Sequence, residues 1–235
     1  MNKEGYITFC PIAKACEILE PRWTLLVLCE MWHGSTRFND IRRGVPAMSP
    51  TLLSKRLKEL ELHGLVKRTH DSAAGEIHYT LTETAMELEP IAMELANWAH
   101  RNIDTDVKLE RLDARVLMWN MRRKVNISAL PRGRRCVIQF IYPELPEVER
   151  HYWIVARPGL PIDLCTVDPG QEVDLYITAD LRATTSAWMG YSTLAAEVAR
   201  EKISLVGDQR LIHSMGEWMV RSRYASVPRK CDVAA

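Results

Sequence analysis

The chain has 235 residues, 31 basic against 30 acidic side chains for a net of +1, and a 47% hydrophobic content. That length holds two ordinary domains with their own cores, and that balance excludes a disordered chain. The longest apolar run, Leu25 to Trp32, contains Glu30 and is far too short to span a bilayer.

The N-terminal stretch has no apolar signal core behind a basic leader, and the six cysteines form no CxxC pair and no zinc-like spacing with histidine. A cytoplasmic protein with reduced thiols, no metal, no cofactor and no membrane association is expected. Cys10-Pro11 marks a helix start, and Ile12, Ala15, Cys16 and Leu19 supply its apolar face until Pro21 ends it. Trp23 to Trp32 is apolar on nearly every side and reads as a buried central helix closed by Gly34. A short helix follows, and then Ser49-Pro50, a capping residue with proline at the first helical position. In the helix so opened, Leu53, Leu57 and Leu60 fall on one face, with Leu52 and the stem of Arg56 beside them. At about 100° per residue, Thr51, Ser54, Lys55 and Lys58 share the opposite face, which holds no carboxylate.

Taken alone, such a helix is most often a solvated amphipathic one; its neighbours reverse the balance. Between Gly34 and His70 there are eight basic and three acidic residues, a net of +5, so the rest of the chain carries −4. Basic charge is concentrated on one helix–turn–helix–strand unit, the electrostatic footprint of phosphate binding. Leu65 to Leu81 alternates as a hairpin around a polar loop from Asp71 to Gly75, the wing of a winged helix. Thr82 caps a helix striped by Ala85, Leu88, Ile91, Ala92, Leu95 and Trp98, more apolar surface than one small domain needs, so a partner subunit is expected over part of it.

The polar run Asp104 to Leu109 is the expected domain boundary. A helix from Glu110 to about Lys124 then leads into strand material at 135–142, 151–155, 162–167 and 173–177, spaced as one antiparallel sheet. Helices are expected at Ala179 to Met189, Thr193 to Glu201 and Asp208 to about Val220, with a short strand at Ile203 to Val206 and a frayed end after Arg223. The fold class is therefore α+β: an N-terminal winged helix-turn-helix domain (1–103), a mixed α/β domain with a mainly antiparallel sheet and packed helices (104–228), and a tail (229–235).

The residues from Cys10-Pro11 through Trp23, Arg37-Phe38, the Leu53–Leu57–Leu60 register, Gly64-Leu65-Val66 and Tyr79-Thr80-Leu81-Thr82, in that order, resemble the HxlR-type winged-helix transcription regulators over roughly residues 9 to 101. The resemblance implies a homodimer that sets two recognition helices in successive major grooves of a palindromic operator in double-stranded DNA. Carried over by position, Thr51, Ser54, Lys55 and Lys58 are base readers; Ser49, Arg37, Arg42 and Arg43 hold the phosphate backbone; Lys67, Arg68 and His70 are wing contacts. It also implies oxidant or aldehyde sensing at Cys10, where a helix N-terminus favours a thiolate; the alternative is an inert, partly buried apolar residue. The wing tip Ser72-Ala73-Ala74-Gly75 departs from the family, which carries prolines there.

From about Trp153 to Met219, the order of elements and phrases such as Val206-Gly207-Asp208 are similar to sterol-carrier-protein-type domains, which pack a sheet against helices around an apolar tunnel. Trp153, Trp188, Met189, Tyr191, Leu194, Met215, Trp218 and Met219 are then candidates to line a site for a small hydrophobic effector. The competing readings are that they fill a core, and that the second domain only dimerises or binds another protein. No nucleophile elbow, P-loop or dinucleotide fingerprint supports an enzyme.

Overall fold

The computed structural model describes residues 6, 8–71 and 75–230. Three of the four wing-tip residues, Ser72-Ala73-Ala74, lie outside the described residues, as do residues 1–5 and 7 and the last five residues of the tail. The chain divides into two compact units, 1–96 and 97–235; the division falls inside a helix rather than in the polar run before Leu109.

The first unit runs α1 (Pro11–Leu19), α2 (Thr24–Trp32), α3 (Phe38–Gly44), α4 (Pro50–Leu62), β1 (Val66–Asp71), β2 (Glu76–Leu81) and the start of α5 (Glu83–Asn102). Its core gathers Val27, Leu28 and Met31 of α2, Ile41 of α3, Leu53, Leu57 and Leu60 of α4, and Ala85 of α5. Burying each such leucine contributes about 1.5–3 kcal/mol, so α4's angle on the core is firmly set. Gly34, at φ +92°, ends α2 in the left-handed region that a glycine enters without a Cβ clash. The Trp32 indole donates to the Ala85 carbonyl at 3.2 Å, and the Thr82 hydroxyl accepts from Ala85 N while donating to Gly64 O, which fixes the start of α5 against α2 and the wing root.

The second unit contains the short α6 (Thr105–Lys108), α7 (Ala114–Lys124), β3 (Cys136–Ile141), α8 (Glu147–Arg150), β4 (His151–Ala156), β5 (Asp163–Cys165), β6 (Leu175–Ala179), α9 (Leu181–Met189), α10 (Leu194–Ala199), β7 (Ile203–Gly207), α11 (Gln209–His213) and α12 (Met215–Trp218). The five strands lie in the order β5-β4-β3-β6-β7. Cys136, Ile138, Phe140, Tyr152, Ile154, Leu175 and Ile177 point to one face, where Leu117, Met118 and Met121 of α7 and Met215 and Trp218 of α12 cover them. Val137, Trp153 and Val155 form a smaller cluster on the other face, as the two-residue alternation of strands requires.

The sheet departs from a simple meander at one pair: β3 and β6 are parallel while the other pairs are antiparallel. Asp174 explains this. Its carboxylate accepts from Val137 N at 2.8 Å, its own N–H donates to Val137 O at 2.8 Å, and Arg134 holds the second carboxylate oxygen at 2.5 Å. The chain leaving β5 is thereby pinned beside the start of β3 and must run alongside it.

Two further expectations fail. The last helix is broken at Ser214, whose hydroxyl turns back to the Arg210 carbonyl, with Gly216 in the following turn; both weaken helix continuity. The chain beyond Arg223 is held rather than frayed. Ser222 N donates to Trp188 O, the Trp188 indole donates to Val220 O, and Arg223–Ser226 forms a 3-10 turn. That turn lies so close to Gly190 (φ +80°) that a Cβ there would meet the Ala225 backbone at 2.8 Å.

Candidate nucleic-acid interface

The first turn of α4 forms because the Ser49 hydroxyl accepts from Leu52 N at 3.2 Å and Pro50 needs no acceptor. Leu53, Leu57 and Leu60 are essentially inaccessible, so the helix has one rotational setting. In that setting Thr51, Ser54, Lys55 and Lys58 are all exposed, together, on the far side. Two hydroxyls and two ammonium groups at the start of a helix are the groups that reach base edges and phosphates in a major groove. Neither lysine has an ion-pair partner among the described residues, so neither is neutralised before a ligand arrives.

Before α4, Arg42 and Arg43 are exposed on the last turn of α3, Arg43 lying 3.7 Å from Asp40. The turn between α2 and α3 is fastened from inside. Glu30, 4% exposed, accepts a 2.6 Å hydrogen bond from the Ser35 hydroxyl, and its carboxylate occupies the space that a side chain at Gly44 would fill.

Arg37 is placed differently from the other backbone candidates. Its guanidinium pairs with Glu76 of the wing at 2.6 Å, and its backbone forms a bridge with His78, while Tyr79 N donates to Thr36 O at 2.7 Å. The chain before α3 thus adds a third short partner to the wing hairpin. Within that hairpin the register sets Lys67 against Thr80, Arg68 against Tyr79 and His70 against Ile77. Alternation puts Arg68 and His70 on one face and Lys67 on the other, so the three wing candidates do not form one surface.

Cys10 occupies the position before α1, its N–H donating to the Thr8 hydroxyl at 3.1 Å; it is half-buried, as are Cys16 and Cys29, and none of the three forms a disulfide with another described residue. Cys136 is the contrast: burial, reinforced by the Asp174 carboxylate, pushes its thiol up to about 12, which leaves it inert.

The sheet of the second unit divides the effector candidates. Trp153 packs on one face, while Met215, Trp218 and Met219 are buried and Trp188 and Leu194 half-buried on the other. The Trp218 indole is spent on the Leu211 carbonyl at 2.9 Å and that of Trp188 on Val220. Met189 is half-buried, and Tyr191 stacks on His100 with Lys108 and Arg229 over its ring. Among the described residues, no three His, Cys, Asp or Glu side chains gather as a metal site, and no helix is long and apolar enough to cross a membrane.

Two residues that matter escaped the sequence reading. Glu30 was visible only as a carboxylate in an apolar helix, and Arg56 as a cation inside the Leu53–Leu57–Leu60 register. Arg56 is 7% exposed; it pairs with Glu59, donates to Arg22 O at 3.3 Å, and its buried Nε–H has no acceptor among the described residues.

A family profile described as HxlR-like helix-turn-helix matches residues 18–107. The chain is 42% identical over 97 residues to YvaP of Bacillus subtilis (strain 168), an uncharacterized HTH-type transcriptional regulator; the match covers 40% of this chain and 90% of YvaP. It is 34% identical over 94 residues to the HTH-type transcriptional regulator YodB of the same organism, covering 39% of this chain and 84% of YodB. Among solved structures, the reduced form of B. subtilis YodB is 31% identical and covers 41% of this chain and 97% of its own, with a TM-score of 0.38. Each of these matches leaves more than half of the chain unaccounted for.

Proposed function

The chain belongs to the HxlR-like helix-turn-helix family, a family of transcriptional regulators and not of enzymes, and from that membership we propose that it binds operator DNA as a homodimer, with α4 as the recognition helix. The observation that carries this reading is the outward face of α4, where Thr51, Ser54, Lys55 and Lys58 stand exposed and the two lysines have no counter-ion among the described residues. In this reading those four residues read bases. Ser49, Arg42 and Arg43 hold phosphates, Arg68 and His70 follow the backbone from one face of the wing and Lys67 from the other. Arg37 contributes less, because Glu76 already neutralises it.

Dimerisation is supported by α5. Ala85 and Leu88 pack inward, but Ile91 is 66%, Leu95 53% and Trp98 55% exposed along one stripe, and large apolar side chains this exposed mark an interface. Sedimentation at micromolar concentration should show a dimer. DNA binding itself is tested by retention on duplex selected from a random-sequence pool, with affinity falling steeply as salt rises; salt-insensitive or absent retention refutes it.

For the input signal, Cys10 is favoured over a hydrophobic effector in the second unit. Cys10 is a free, partly accessible thiol at the entry to α1, whereas the effector candidates are split by the sheet and several are closed into its core. The second unit then serves as a dimerisation or protein-interaction module. Lipophilic ligands tested by native mass spectrometry alongside operator affinity decide whether it also binds an effector. Any effector must bind the DNA-competent and incompetent states with different affinity.

A further inference from the structure

The five-stranded sheet of the second unit ends in two unlike edges. β5 is three residues long, carries Asp163 and follows Pro161, features that discourage another strand from pairing there. β7, at the opposite edge, runs Ile203-Ser204-Leu205-Val206-Gly207 with neither charge nor proline. Ser204, Val206 and Gly207 are exposed, Val206 to 63%. The direction of its backbone groups is fixed at both ends. Asp208 N donates to Asp174 O at 2.8 Å, and Asp180 N donates to Lys202 O at 2.9 Å. In an antiparallel ladder such pairs alternate, so Lys202, Ser204, Val206 and Asp208 turn their backbone groups toward β6. Ile203, Leu205 and Gly207 turn theirs outward, where they meet no hydrogen-bond partner among the described residues.

We propose that β7 pairs antiparallel with β7 of a second copy of this chain, about a twofold axis at Leu205, making one sheet continuous through both copies. The strand is self-complementary in that register. Leu205 meets Leu205 of the second copy, and Ile203 meets Gly207, so every outward N–H finds an outward carbonyl. The same register sets Lys202 opposite Asp208, and the charges fit. Arg134 is shared by two carboxylates, at 2.5 Å from Asp174 and 3.5 Å from Asp208, which leaves one negative charge over at that end of the strand. Lys202, at the other end, is exposed and has no ion-pair partner among the described residues. Each copy thus brings a cation to the other's surplus carboxylate, an arrangement that favours a second copy over an unrelated strand. Val206, beside Tyr176 on the open face of the sheet, is covered in part by Ser204 of the second copy. This surface deepens the reading of the second unit as a dimerisation module and rests on it.

The test uses the full chain. Amide hydrogen exchange resolved by residue has a built-in control, because Ser204 and Val206 are protected by β6 in any case. With β7 paired, the Leu205 and Gly207 amides should exchange about as slowly as those two, roughly a hundredfold slower than free edge amides. Ile91→Glu with Leu95→Glu, both at exposed positions on α5, removes the other candidate interface. That variant should still sediment as a dimer, and adding Leu205→Pro should make it a monomer. Proline is tolerated there because the N–H it removes faces away from β6. If the proline variant does not fold, Lys202→Glu, at an exposed position, should weaken association about tenfold by setting like charges together, while Lys202→Arg should preserve it. Free exchange at Leu205 in the purified chain, the outcome if this edge takes a strand of another protein, overturns the proposal. A dimer of the α5 variant that survives both Leu205→Pro and Lys202→Glu overturns the β7 surface but leaves the second unit as a dimerisation module. A monomeric α5 variant overturns both.

Discussion

The Arg37 guanidinium, at the entry to α3, lies 2.6 Å from the Glu76 carboxylate on the wing, and both groups are substantially exposed. An exposed pair of this kind contributes little to stability. Its larger effect is electrostatic, because it sets a carboxylate among the cations proposed to face DNA. Glu76→Gln should leave the melting temperature nearly unchanged and tighten duplex binding severalfold at low salt. One additional cation per protomer adds about two phosphate contacts per dimer, so the plot of log affinity against log salt steepens by about 2. Fluorescence anisotropy over a salt series reads this directly; an unchanged slope would mean that Arg37 stays away from phosphate.

Lys55→Ala with Lys58→Ala removes both exposed ammonium groups from the α4 face without touching Leu53, Leu57 or Leu60. Folding should survive, since both side chains are exposed. Affinity for the selected duplex should fall at least tenfold, with each lost base or phosphate contact contributing about 1–3 kcal/mol. Circular dichroism beside anisotropy separates lost contacts from lost fold, and undiminished affinity would move the recognition face elsewhere.

Gly44→Ala should destabilise the first unit by about 1–3 kcal/mol, because the added Cβ would lie 2.0 Å from a carboxylate oxygen of Glu30, which is buried against Ser35. Glu30→Gln in the same background keeps the volume and the clash, so it should not rescue, whereas Glu30→Ala should recover part of the loss. Urea titration monitored by tryptophan fluorescence measures the differences.

Alkylation with iodoacetamide at neutral pH should label Cys10 and spare Cys136 in the folded chain, and peptide mass spectrometry identifies the sites. Cys136 carries a second prediction. Its thiol is raised by burial from an ordinary value near 9.0 to about 12, so the folded state holds that proton where the unfolded state has lost it. The resulting stabilisation is complete below about pH 9 and disappears as pH rises toward 12. Tyr152, also raised to about 12 by burial in the same core, adds to the loss. Cys136→Ala should make the decline in stability across that window shallower.

The α4 face was legible in the chain because one local geometry decides it: with Leu53, Leu57 and Leu60 inward at helical spacing, Thr51, Ser54, Lys55 and Lys58 have nowhere to point but out. The cap at Ser49, the hairpin and the stripe of α5 follow from equally local rules. The boundary of the units, the broken last helix and the ordered stretch after Arg223 were not legible, since they depend on contacts such as Ser222 with Trp188 between residues far apart in sequence.

By itself, then, the sequence determined the winged-helix order of the first unit, its concentrated positive charge and the residues that α4 exposes, because periodicity, capping and turn chemistry act over a few residues. Only the tertiary structure decided which of those charges remain free. It pairs Arg37 with Glu76 and leaves Lys55 and Lys58 without an ion-pair partner among the described residues. It turns Arg56 inward to Glu59 and the Arg22 carbonyl, and it sets β6 parallel to β3 through Asp174. Ion pairs, buried donors and strand order are relations between distant segments, fixed when the core brings those segments together and not by the pattern within either one.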